Sequence, residues 1–82
     1  MPELQYVIDT ICARFTAESL YRLIEERLKH GPFMIDEILP LIESKDRSLD
    51  RDRAKMLAEA ALEDLAQRGK IRTEGGKIFP AT

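Results

Sequence analysis

His30, the only histidine in the chain, follows Glu26 by four residues. On a helix that spacing puts both side chains on one face, where they could share a divalent ion or form a surface ion pair. No second ligand cluster accompanies them. A histidine at this place also suits the negative end of a helix. Ser19, Ser44 and Ser48 lack the surroundings of a nucleophile turn, so no Ser/His/Asp arrangement can be assembled. The neighbouring carboxylates Asp36-Glu37 and Glu63-Asp64 point in different directions on a helix and make no acid/base pair. Gly75-Gly76 lacks the following helix and lysine that a phosphate loop requires. The single cysteine, Cys12, allows no internal disulfide and reads either as a small packing residue at the edge of an apolar helix face or as an exposed thiol that senses redox state. We therefore expect no enzyme, no catalytic residue, no metal and no cofactor.

The remaining chemistry is that of charge. The 82 residues are 44% hydrophobic and 34% charged, too apolar for a disordered chain, with no apolar run approaching the roughly 18 residues of a membrane span. The N-terminal segment has no cationic stretch followed by an apolar one, so we expect no signal peptide and a cytoplasmic protein. The formal net charge of -2 lacks the basic excess of a domain that grips phosphate with its whole surface. Any nucleic-acid role must rest on local charge. Lys45, Arg47, Arg51, Arg53, Lys55, Arg68, Lys70, Arg72 and Lys77 supply nine of the 13 Lys and Arg, all in the second half of the chain.

Hydrophobic spacing sets the elements that would position these groups. Leu4, Val7, Ile8, Ile11 and Phe15 repeat at the interval of one helical face, predicting a first helix over 3–14, although the β-branched residues there also favour a strand. Thr16 can cap a second helix whose stripe is Leu20, Leu23, Ile24 and Leu28, stopped by Gly31 and Pro32. Phe33 to Ile35 can run extended. Asp36 can cap a third helix bearing Ile38, Leu39 and Ile42, with Pro40 distorting its start or moving it nearer the proline. ESKDR at 43–47 reads as a turn, and Ser48 as the cap of a helix ending near Arg68. On that helix Ala54, Leu57, Ala58, Ala61, Leu62 and Leu65 share an inward arc. Gly69 ends it, and strands over 70–73 and 77–79 turn about Gly75-Gly76. Alternation cannot bury Ile78 and Phe79 on one face, so their relative burial stays open.

In order, GPFMIDEI at 31–38, ALEDLAQRGKI at 61–71 and EGGKIF at 74–79 make the chain resemble the winged helix-turn-helix superfamily over residues 16–80. The expected fold is mainly α with a small β-hairpin, an α+β winged helix carrying an additional N-terminal helix. Residues 1–15 would form that helix and 16–82 the winged domain. The resemblance implies a small double-stranded-DNA-binding regulator, with 48–68 as recognition helix and 70–79 as wing. Arg47, Arg51, Arg53, Lys55, Arg72 and Lys77 would then contact phosphate, and Arg51 or Arg53 a guanine edge. The first helix resembles extensions through which such regulators dimerise. Leu4, Val7, Ile8, Ile11 and Phe15 would either pair with a second copy as a homodimer or cover the domain's own core.

The outward flank of the 48–68 helix complicates a DNA role. Asp52, Arg53, Met56, Glu59, Ala60, Glu63 and Gln67 face away from the apolar arc, and this set is more acidic and apolar than a DNA groove favours. The charges equally describe a solvated face with a Lys55–Glu59 ion pair. A second reading follows, in which Met56, Glu59, Ala60 and Glu63 form an interface for a protein partner.

Overall fold

A computed structural model describes residues 4–81, among which four helices and three strands occur. They are α1 (Leu4–Thr10), α2 (Ala17–Leu28), β1 (Phe33–Met34), α3 (Ile35–Lys45), α4 (Arg51–Gln67), β2 (Ile71–Glu74) and β3 (Lys77–Pro80). The strands form one antiparallel sheet in the order β1-β3-β2, with Phe33 opposite Ile78 and Thr73 opposite the same residue on the other side.

α1 is shorter than its apolar spacing predicts. The chain turns at Cys12, whose φ of +55 lies in the left-handed region. There the N–H of Ala13 donates to the Ile8 carbonyl (3.0 Å) and that of Cys12 to Asp9 (3.2 Å), the paired bonds that close a Schellman end. Cys12 is thus an exposed turn residue, not a packing residue. Phe15 lies past the helix, in the loop to α2, and residue 3 lies outside the described range. α2 opens where its sequence indicates, the Thr16 hydroxyl accepting from the Ser19 N–H at 3.0 Å.

α3 begins at Ile35, one residue before the expected cap Asp36. Glu37 fixes this start by reaching back to accept from the Met34 N–H at 2.6 Å. Pro40 therefore falls inside the helix, where it removes one backbone donor without ending it. α4 begins at Arg51 and not at Ser48, because Asp50 is the residue that accepts from the Arg53 N–H, at 2.8 Å. Gly69 closes α4 with φ +72 and the same pair of Schellman bonds, from Lys70 to Leu65 and from Gly69 to Ala66. The hairpin turns through Gly75 and Gly76, both at positive φ as a type I′ turn requires.

α4 is the centre of the molecule, packing on α1, α2, α3 and β2. Ala54, Leu57, Ala58, Ala61, Leu62 and Leu65 are its buried positions, the arc read from the sequence. They join Leu20, Ile24, Phe33, Ile38, Leu39 and Ile42 in one core. Ile78 is buried and Phe79 half-buried, which settles their order. The α1 stripe is spent on the same core: Leu4 and Ile8 are buried, and Val7, Ile11 and Phe15 pack against it half-buried. Of the two roles open for these five residues, covering the domain's own core is the one this packing fills. No helix among the described residues is long and apolar enough to cross a membrane.

Candidate functional site

The six cationic residues expected to meet phosphate fall into two groups. Arg47 lies in the turn before α4, and Arg51, Arg53 and Lys55 occupy its first turns; all four are exposed. Arg51 is engaged by Glu43 at 3.0 Å, a bond between α3 and α4. Arg47, Arg53 and Lys55 have side chains free of ion pairs among the described residues, and Lys55 and Glu59 do not form the expected pair. Arg72 and Lys77 belong to the hairpin. The Arg72 guanidinium lies over the Phe79 ring, 5.2 Å from its centroid, and Lys77 stands opposite Glu74 in the β2–β3 register.

Between α4 and the hairpin lies a concavity of about 440 Å³. Its walls are the second half of α4, from Glu59 to Ala66, and the hairpin from Thr73 to Gly76, with Ile35, Leu62 and Ile78 supplying its apolar lining. The hairpin turn thus meets α4 a full turn or more past Lys55, so no cation lines the space between them. Glu59, Glu63 and Glu74 do, and among the described residues none of the three side chains accepts a hydrogen bond or forms an ion pair. Met56, one turn before Glu59 and Ala60, adds an apolar side chain that is 49% exposed. Ala60 is half-buried and packs partly against the core, so it offers less surface than its outward position on the wheel suggested. Glu74, Ile35 and Ile78 were not singled out from sequence. Their approach depends on how the hairpin folds back on α3 and α4, which no local spacing encodes.

Several other charges are bound into the structure. Asp46, the residue after α3, is 2% exposed and accepts from the Arg14 N–H at 2.7 Å and from the Ser48 hydroxyl at 2.6 Å. These bonds, led by that from the Ser48 hydroxyl, hold its carboxyl below the ordinary aspartate range. Glu37 is likewise lowered, chiefly by the Met34 N–H and further by the Arg27 guanidinium at 3.1 Å. Tyr21 donates its hydroxyl to Asp64, and Arg68 closes this group by pairing with Asp64 at 3.3 Å and covering the Tyr21 ring. Glu26 pairs with Lys29 at 2.9 Å, and no group of three or more metal-ligating side chains occurs among the described residues.

Three unpartnered carboxylates, Glu59, Glu63 and Glu74, thus line one apolar hollow, while the unpartnered cations at the start of α4 lie outside it. No family model, curated protein or solved structure matches the chain.

Proposed function

We propose that the domain is a protein-interaction module on a winged-helix scaffold, with α4 in the place of the recognition helix and β2–β3 as its wing. The concavity between them takes a basic segment of a partner protein. The observation that supports this reading is the convergence of Glu59, Glu63 and Glu74 over Ile35, Leu62 and Ile78. A DNA phosphate brought into this space would meet three carboxylates within a Debye length, whereas a Lys- or Arg-bearing segment gains charge complementarity there and buries Met56. The residues expected to form a protein interface, Met56, Glu59, Ala60 and Glu63, extend along this flank, and Glu74 completes it.

Duplex DNA is the second reading, favoured by the free cations Arg47, Arg53 and Lys55 around the exposed start of α4. Fluorescence anisotropy separates the two, using a labelled basic amphipathic peptide and a random duplex at low and moderate salt. The peptide is expected to bind saturably, and Met56→Arg or Glu59→Gln/Glu63→Gln to weaken it while leaving the circular dichroism melt unchanged. Duplex binding that is steeply salt-dependent, is lost in Arg53→Ala/Arg72→Ala and survives Met56→Arg would replace the first reading with the second.

A further inference from the structure

A second hollow lies elsewhere in the molecule. A groove of about 740 Å³ lies where the α1–α2 loop, α2 and the end of α3 meet, and it shares no residue with the concavity beside the hairpin. Phe15 and Leu23, both half-buried, and Leu41, 40% exposed, make it apolar. Along α2 it runs from Ser19 to Arg27, and at 1.5 Å per residue that is about 12 Å, a little over two helical turns, with His30 just past the helix end.

Its rim is cationic. Arg14 and Lys45 stand at one end, tied together because Asp46, next to Lys45, accepts from the Arg14 backbone. Asp46 spends its carboxylate on that N–H and on Ser48; the Arg14 charge acts on it without a direct salt bridge, and the Lys45 ammonium has no ion-paired carboxylate within the described residues. Arg22 also lines the groove, held only by a solvent-exposed pair with Glu18 at 3.2 Å. The one acid on the rim, Glu26, is neutralised by Lys29.

We infer that this groove docks an acidic amphipathic helix of a partner protein. Its apolar face lies on Phe15, Leu23 and Leu41, and its carboxylates meet Arg14, Lys45 and Arg22. An open trough between two helices, with apolar side chains contributed by both and by the loop before α2 and with a cationic edge, has the form in which a partner helix is laid into a groove. The sign of the rim selects an acidic helix over a basic one. This site stands apart from the acidic concavity and would bind a partner of opposite charge.

The test is a nitrogen-15 NMR titration of the full chain with a 12-residue acidic amphipathic helical peptide, its lysine-for-glutamate counterpart and decanoate. The acidic peptide is expected to shift the amides of residues 14, 23, 41 and 45 saturably, with affinity falling as salt rises. Leu41→Glu and Lys45→Glu should each weaken binding by about tenfold or more. Both side chains are exposed, and Lys45→Gln with an unchanged melt guards against a folding defect. Equal binding of the lysine peptide, no saturation by the acidic one, or shifts confined to other residues would overturn the inference. Saturation by decanoate alone would overturn it in favour of a small amphiphilic anion.

Discussion

Charged side chains are used in opposite ways at the two ends of α4. At its start, Asp46 is sunk between the α1–α2 loop and the turn before the helix, every carboxylate bond satisfied from within the chain. Beside its second half, Glu59, Glu63 and Glu74 line one hollow with no ion pair to any of their side chains among the described residues. Carboxylates that accept buried N–H and O–H groups hold a fold together, whereas a like-charged set gathered over apolar side chains is held by the fold and contributes little to it. Composition cannot separate the two uses, because all four are acids in the same half of the sequence.

That contrast is open to attack at each step. Asp46→Ala should have the largest effect, about 2 kcal/mol lost in urea unfolding, because it removes the buried carboxylate that accepts from the part-buried Arg14 N–H and Ser48 hydroxyl. The pH profile gives the same residue a signature. Its carboxyl is lowered in the fold, so its contribution is complete above the ordinary carboxylate range and disappears as pH falls through the folded value. The urea midpoint of the wild type should drop on acidification, and that of Asp46→Asn should begin lower and vary less. A next smaller loss, about 1 kcal/mol, is expected for Tyr21→Phe, which deprives Asp64 of a half-buried donor. Arg51→Ala removes a pair at the protein surface and should shift stability by less than about 1 kcal/mol. The least change belongs to Glu59→Gln/Glu63→Gln/Glu74→Gln. Its stability should stay within about 0.5 kcal/mol of wild type while binding of the basic peptide is lost. A large destabilisation in that triple variant would erase the distinction between the two ends.

How much of this could be read in advance depended on range. The inward arc of α4, the Thr16 cap, the glycine stops at 31 and 69 and the hairpin turn are encoded within a few neighbouring residues, and each was legible. The end of α1 was not, because a cysteine took the left-handed position that usually signals itself through glycine. The true caps of α3 and α4 were masked by rivals two residues away, Asp36 beside Met34 and Ser48 beside Asp50. Asp46 looked like any polar turn residue, since its main-chain partner Arg14 lies 32 positions upstream. The same applies to the candidate site. Glu59 and Glu63 could be placed on an outward flank, but their meeting with Glu74 required the hairpin to fold back and β1 to join its far edge. The six cations were found as individual residues, and only the arrangement in space showed that Arg51 is already engaged and that Arg72 lies on its own sheet.

The central place of α4 has a dynamic consequence. A helix that touches α1, α2, α3 and β2 at once leaves no peripheral layer whose detachment spares the interior. Amide protons from Leu57 to Leu65 should accordingly exchange with solvent only through opening of the entire domain, all at one common free energy. Up to that limit the hollow beside the hairpin keeps its shape, so a ligand would meet a preformed mould and lose little entropy in ordering it.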